Sequence, residues 1–454
     1  VLSATSLARG PRAIVWAWIA RALSRSACIP AAFRDFVTIA RAIRNAVILW
    51  LEEENRPGSR GILTGSSLGT LRYWDRLVGW VARADELVAI RCYDRGVPEE
   101  LASSEPGFRG ERRTGLLASR SVRMLWLGLI LLVAGALRVV GLSFGFPLRV
   151  HPDEWAIVDN AVDLARRGSF DPTFFDRPDH LEIRLNFLVD SFYSWLRFQS
   201  PLPEGFAQHE LSFVLIGRGI SAVFGLGCVW IAYLIVRRFS VSAAIVAAAL
   251  FALFPPLVLN AHYATPEAPQ TFFLLLFIYA AVRYLEQPGL FWLIIAGALI
   301  GVGFTIKYPA VFLGVVLAMA VGVVSWRHRS WQLFLSHGVL SLAGLVAAIF
   351  VVSPVLLTDF GSVLAAIRQQ GQPVHLGADG LGWTGNLAFY AVTFYQSAGP
   401  LLVAAAVVGA IWLLRNDPVR SLPLWTGLVY GLLLSAVALH WARWGVPMFV
   451  SPLM

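Results

Sequence analysis

The segment Val150-His151-Pro152-Asp153-Glu154-Trp155 sets two adjacent carboxylates just after the first apolar stretch long enough to cross a bilayer. Ionisable groups at the mouth of a membrane helix are costly to hold near lipid and are kept for a task. A carboxylate within reach of a hydroxyl takes its proton as a new bond forms, the general-base role. His151 is placed to tune that carboxylate, and Pro152 fixes the backbone angle beside it. The plainer reading is that Asp153 caps a helix starting near Trp155. Eleven of the sixteen acidic residues beyond position 120 lie between 143 and 210, so any acid–base chemistry is concentrated in this one segment.

Three further groups have suitable chemistry. Lys307 is the only lysine beside thirty-six arginines and falls at a span boundary, where an ammonium either neutralises a phosphate or snorkels to the interface. Tyr308 follows it. Asn260-Ala261-His262-Tyr263-Ala264-Thr265-Pro266-Glu267 is a polar turn opening a span. There His262 and Tyr263 can bond a sugar or phosphate, and Glu267 either serves the site or complements the helix dipole. His440-Trp441-Ala442-Arg443-Trp444 offers a guanidinium between indoles, suited to a phosphate or sugar ring, though Trp at a membrane interface is also an ordinary anchor. No fixed ligand spacing links His151, Asp153, Glu154 and His262, so a divalent metal is possible without being supported, and no cofactor is expected. Phosphate-cradling Gly-rich loops and nucleophile elbows are lacking as well.

The elements that position these groups are membrane helices. Hydrophobic residues make up 57% of the 454 residues and charged ones 14%, against about 25% in a soluble domain. Apolar stretches of about 20 residues, the length that spans a bilayer, predict spans near 122–142, 211–236, 243–259, 269–284, 291–306, 310–324, 338–357, within 387–414, and at 422–439. The polar segment 143–210 contains an amphipathic helix at 156–167 and a second apolar-sided one at 185–198, both read as lying on the membrane surface. Alternate crossing puts Arg237, Arg238, Arg283, Arg327, Arg329, Arg415 and Arg420 on one side, the cytoplasmic one by their charge. It puts His151, Asp153, Glu154, His262, Glu267, Lys307, His440 and Arg443 on the other. The net charge of +9 is thereby explained as orientation of helices, with no nucleic-acid partner.

Residues 1–120 carry eighteen arginines against twelve acids, and their apolar runs are too short to span. Either the start of the chain is set too far upstream, or this is a cytoplasmic, partly helical extension. Residues 121–454 form the membrane module, which ends at the threshold of another apolar run and is expected to lack its C-terminal part. Cys28, Cys92 and Cys228 are scattered, without a disulfide or metal pattern.

These residues together resemble a family. Leu137-Arg138-Val139-Val140-Gly141-Leu142, His151-Pro152-Asp153-Glu154, Asp171-Pro172-Thr173-Phe174-Phe175, Arg177-Pro178, Gly217-Arg218, the 262–267 turn, Thr305-Ile306-Lys307-Tyr308-Pro309-Ala310 and the His440/Arg443 pair occur in the order found in polytopic glycosyltransferases of the GT-C fold. The likeness is to the family 39-like group that includes protein O-mannosyltransferases and aminoarabinose transferases. It implies an all-α bundle of about nine or ten transmembrane helices with a large first outer loop carrying interfacial helices. It also implies transfer of a hexosyl or pentosyl unit, with inversion, from a polyprenyl-phosphate donor to a lipid, glycan or protein acceptor at the outer face of the plasma membrane. Asp153 then matches the catalytic base and Glu154 its neighbour and support. Lys307 and Arg443 bind the carrier phosphate, and His151, His262, Tyr263, Glu267, Tyr308 and His440 support the substrate. The competing reading is a transporter or flippase of lipid-linked sugars; such proteins tend to show internal repeats and interrupted helices at mid-membrane, and no repeat is evident here.

Overall fold

A computed structural model describes residues 120–454, apart from 149, 371–379 and 418. The readings made for 1–119 fall outside these residues. Among the described residues every regular element is helical. Six helices are long and apolar enough to cross a membrane, and three shorter apolar helices accompany them. The all-α polytopic architecture expected from the sequence is therefore the one observed.

The first span, α1 (Arg120–Val139), leads into the polar segment, which folds into α2 (Trp155–Arg167) and α3 (His180–Phe198). α2 buries Ile157, Val158, Ala161, Val162 and Leu164 along one face and ends at Gly168, whose φ of 58° closes the last turn. α3 begins five residues earlier than its apolar pattern suggests, because its first two turns bury His180, Glu182 and Arg184. Its start is tied down by polar contacts: His180 Nδ1 meets Ser353 Oγ at 2.6 Å, and Arg184 donates to the Val352 carbonyl. α4 (Leu202–Arg237) departs from helical geometry at His209, so its spanning part starts close to residue 211.

α5 (Val241–Leu253) is shorter than the predicted third span. Phe254 precedes Pro255, which pushes it into an extended conformation (ψ 115°), and the short α6 (Pro255–Asn260) follows. Two prolines at 255 and 256 deprive the Phe251 and Ala252 carbonyls of their helical donors. Arg138, buried in α1, supplies them: Nη2 donates to Phe251 O at 3.0 Å and Nη1 to Ala252 O at 3.2 Å.

The centre of the bundle is α7 (Glu267–Glu286) packed against α4 and α8 (Leu290–Ile306), with α5 packed on α4. After α8 the chain is extended at Lys307, forms a 3-10 turn (Tyr308–Phe312) and continues as α9 (Leu313–Arg327). α10 (Trp331–Val352) lies close on α8, since a Cβ on Gly344 would stand 2.6 Å from the Ile294 carbonyl oxygen. Ser353-Pro354 stops it five residues before the predicted end. The expected loop beyond is partly helical, with α11 (Val355–Thr358) and α12 (Phe360–Gln370). α13 (Gly382–Asn416) leaves helical geometry at Gly399 before Pro400, and α14 (Leu422–Ser435) follows. At the arginine-rich end Arg238 pairs with Glu286 at 2.7 Å, Arg283 packs 4.7 Å over Trp292 and Arg420 lies over Phe239. The residues with chemical potential gather elsewhere.

Candidate active site

Five separate segments deliver charged side chains to one cluster. Asp153 comes from the turn before α2, Arg177 and Asp179 from the run into α3, and Glu267 from the first turn of α7. Lys307 comes from the extended residue after α8, and Arg443 from a 3-10 turn (Ala442–Gly445). Asp153 Oδ2 lies 2.8 Å from Arg177 Nη1 and 2.5 Å from Arg443 Nη2. Glu267 Oε1 lies 3.0 Å from Lys307 Nζ and 3.5 Å from Arg443 Nε. Arg443 thus bridges the two carboxylates. Lys307 Nζ also sits 4.7 Å from the centre of the Trp444 ring.

His151 closes the near side. Its Nδ1 accepts from the Asp153 amide at 3.2 Å and its Nε2 meets Arg443 Nη1 at 3.0 Å. Burial lowers its pKa, and the adjacent Arg443 guanidinium lowers it further, so the neutral ring is favoured; its single bare nitrogen accepts one of these two bonds at a time. Tyr263 packs against His151 with ring centres 4.6 Å apart.

The two adjacent carboxylates part company. Asp153 is one-fifth exposed and faces the cluster, whereas Glu154 is fully buried. Glu154 accepts from Arg218 Nε at 2.7 Å, from Arg218 Nη2 at 2.9 Å and from the Ala264 amide at 3.2 Å. Arg218 donates further to the Leu142 and Phe144 carbonyls at 2.6 and 2.8 Å. Glu154 therefore pins α4, the 262–267 turn and the end of the first span together, and both its oxygens are spent on that task. The capping role considered for Asp153 is not observed: Glu154 occupies the N-cap position of α2 and makes no side-chain cap bond.

Three other expected site residues are tethers at the margin. His262 places Nδ1 at 2.8 Å from Val258 O and Nε2 at 3.1 Å from Val140 O. The Tyr308 hydroxyl donates to the Phe175 carbonyl at 2.7 Å. The buried His440 ring meets Phe389 edge-on at 4.5 Å, pointing toward α13.

Two residues in the cluster were not singled out from the sequence. Arg177, known there only as part of an Arg-Pro motif, contacts Asp153 through Nη1 and Asp179 Oδ2 through Nε at 2.7 Å. Burial opposes its charge, but Asp179 and Asp153 outweigh that and hold it above the ordinary guanidinium range. Asp179 is fully buried, and burial pushes it up to about 6 although Arg177 works the other way. Its amide donates to Ile306 O at 3.1 Å, the residue beside Lys307, so the loop and the lysine are fixed together. The density of acids in 143–210 was the available signal. Among the described residues no group of three or more His, Cys, Asp or Glu is arranged to hold a metal ion.

A balanced set of carboxylates and cations in one place can accept a proton and stabilise an anionic leaving group. Residues 214–357 match the family model described as dolichyl-phosphate-mannose-protein mannosyltransferase. None of the curated proteins matches the chain. Among solved structures the chain is similar to ArnT from Cupriavidus metallidurans bound to undecaprenyl phosphate, at 15% identity and TM-score 0.49, over 74% of this chain and 59% of that one. It is similar to the apo state of the same protein at 15% identity and TM-score 0.47, over 72% and 58%. A third similarity is to the Archaeoglobus fulgidus oligosaccharyltransferase in its apo form, at 15% identity and TM-score 0.44, over 75% and 51%. The chain spans between a half and three-fifths of the length of these structures. The matched family segment runs from α4 to α11 through Arg218, Glu267 and Lys307, and bears out the resemblance to GT-C glycosyltransferases carried by the sequence motifs.

Proposed function

We propose that the protein is a membrane glycosyltransferase that moves a sugar from a polyprenyl-phosphate carrier to an acceptor hydroxyl, with Asp153 as general base. The observation that carries this reading is the convergence of Asp153, Glu267, Lys307 and Arg443 from four segments into one ion-paired cluster.

The acceptor oxygen attacks the anomeric carbon while Asp153 takes the hydroxyl proton. The bond from that carbon to the phosphate oxygen breaks, and the polyprenyl phosphate leaves with both bonding electrons. Attack opposite the leaving group inverts the anomeric centre. Lys307 and Arg443 neutralise the charge on the departing phosphate, which needs little protonation to leave. Lys307 and Arg443 are paired with Glu267 and Asp153. A phosphate therefore replaces Glu267 on Lys307 and draws Arg443 from Asp153, so donor binding itself loosens the base for its task. The acceptor is a lipid, glycan or protein, and the sugar a hexosyl or pentosyl unit. The site faces outward across the plasma membrane, because the arginine-rich end is opposite and such residues face the cytoplasm.

The test is sugar transfer by the full chain in liposomes, with radiolabelled polyprenyl-phosphate sugars and Asp153→Asn beside the wild type. Transfer to water or acceptor, lost in the variant while donor binding persists, is the expected result. Movement of intact lipid-linked sugar across the bilayer without turnover would sink the transferase reading in favour of a flippase.

A further inference from the structure

α3 opens with Asp179 at the N-cap position and Glu182 three residues on. That is the spacing of a capping box, in which the first side chain bonds the N3 amide and the glutamate reaches back to the N-cap amide. Neither bond forms. Asp179 Oδ2 is taken by Arg177, and the Asp179 amide is taken by the Ile306 carbonyl. Asp179 has a φ of 48°, a left-handed conformation that aspartate tolerates better than most residues.

Glu182 is left with nothing to accept from. It is 2% exposed and neither oxygen has a hydrogen-bond partner. The same holds for Asp179 Oδ1 and for Asn186 Oδ1 one turn further along, while the Asn186 amide nitrogen donates to the Glu182 carbonyl. These orphans are all acceptors as long as Glu182 is ionised, and acceptors cannot satisfy one another. A buried polar atom left without a partner costs about 1–3 kcal/mol, more if it carries charge. One proton relieves the charged part of the conflict, because a carboxylic acid at Glu182 can donate to Asp179 Oδ1, its neighbour on the first turn, leaving only neutral acceptors unpaired.

We propose that Asp179 and Glu182 are positioning residues that share one proton, and that this acid–carboxylate pair holds Arg177 against Asp153. The charged groups facing Glu182 are Asp179 and Arg177 from its own approach segment, Glu267 from the start of α7 and Lys307 from the end of α8. Burial pushes Glu182 well above the carboxylate range, Asp179 and Glu267 add to that, and Arg177 and Lys307 offset only part. With Glu182 neutral, Asp153, Asp179 and Glu267 balance Arg177, Lys307 and Arg443 one for one. A fourth negative charge behind Arg177 would compete with Asp153 for its guanidinium.

Infrared difference spectra of the full chain in detergent test the pair without requiring turnover, so they stand apart from the transferase reading on which the catalytic part rests. The expected result is a carboxylic-acid carbonyl band at neutral pH that disappears in Glu182→Gln, with Asp190→Asn run alongside to separate the other buried acid. In the transfer assay Asp179→Ala should lower kcat about 100-fold with KM nearly unchanged, the scale of a small misplacement of a catalytic group. Glu182→Ala should fall in the same way. Wild-type turnover should decline at alkaline pH as Glu182 loses its proton, and Glu182→Gln, which keeps a neutral donor, should recover turnover and lack that decline. Melting temperatures of each variant check that the fold is intact. An infrared spectrum unchanged in Glu182→Gln, or a turnover pH profile in that variant identical to wild type, would overturn the proposal.

Discussion

Asp153 and Glu154 are neighbours in sequence and should fail in opposite ways when neutralised. Glu154→Gln removes the charge facing a fully buried guanidinium and weakens a bidentate contact of 2.7 and 2.9 Å. Arg218 keeps its bonds to the Leu142 and Phe144 carbonyls, but those dipoles do not replace a counter-charge. Breaking one side of a buried ion pair costs about 3–5 kcal/mol, a large share of the stability of most folds. Asp153→Asn disturbs contacts whose partners are 17–22% exposed and each keep a second carboxylate, Asp179 for Arg177 and Glu267 for Arg443, so the loss is smaller, about 1 kcal/mol. The assay is paired: thermal unfolding in detergent followed by intrinsic fluorescence from the seventeen tryptophans, and sugar transfer at a temperature where both variants are folded. Glu154→Gln should melt well below wild type and regain transfer once folded; Asp153→Asn should melt near wild type and lose transfer. A Glu154→Gln protein with wild-type melting would refute the assignment of this carboxylate to structure. A charge-free pair, Glu154→Leu with Arg218→Met, should melt above Glu154→Gln alone because no uncompensated charge remains.

Asp190 on α3 is fully buried with both oxygens unpartnered, and burial pushes it up to about 8. The folded protein then keeps this proton through neutral pH whereas the unfolded chain releases it near pH 4, so stability falls as pH rises between the two. Asp190→Asn should flatten that slope and raise stability at pH 7 by up to about 4 kcal/mol, read from denaturation at pH 5 and 7; a slope unchanged in the variant contradicts it. Lys307→Gln should weaken donor binding in equilibrium titration with the lipid-phosphate sugar, and more strongly at low salt, whereas Glu267→Gln should strengthen it by freeing the ammonium; equal affinities would show that the pair does not meet the phosphate. Gly344→Leu should destabilise the bundle by separating α10 from α8, where even a Cβ would crowd the Ile294 carbonyl, and a melting curve like wild type would show that the contact is loose.

The parity of the site was readable because Asp153, Glu267, Lys307 and Arg443 each follow or precede a span, and successive crossings force such residues to one end or the other. Amphipathic α2 was likewise visible from its spacing of apolar residues. The pairings were not. Arg218 meets Glu154 across 64 positions, and no periodicity marks which of many arginines a carboxylate will choose. Arg177 and Asp179 looked like loop residues because their partners lie on α8 and in the turn before α2. Span ends were misjudged at Leu253 and Val352, where a downstream proline cuts an apolar run that hydropathy alone carries onward. The helical segment Phe360–Gln370 was taken for loop because its apolar face is narrow, with only Val363 and Ala366 buried.

Arg138 gives the first span a dependence on a later one. Its carbonyl partners lie 113 and 114 residues further along the chain, beyond the whole polar segment and α4. During synthesis α1 is made with a guanidinium near its end that has only the Ala134 carbonyl of its own helix to meet, a cost of up to about 3 kcal/mol in hydrocarbon. Until α5 emerges with its two proline-exposed carbonyls, that side chain is better off reaching toward the headgroups. A helix made before α5 is consequently among the last to settle, and its final depth in the bilayer is decided by a break in a helix not yet made when α1 is inserted.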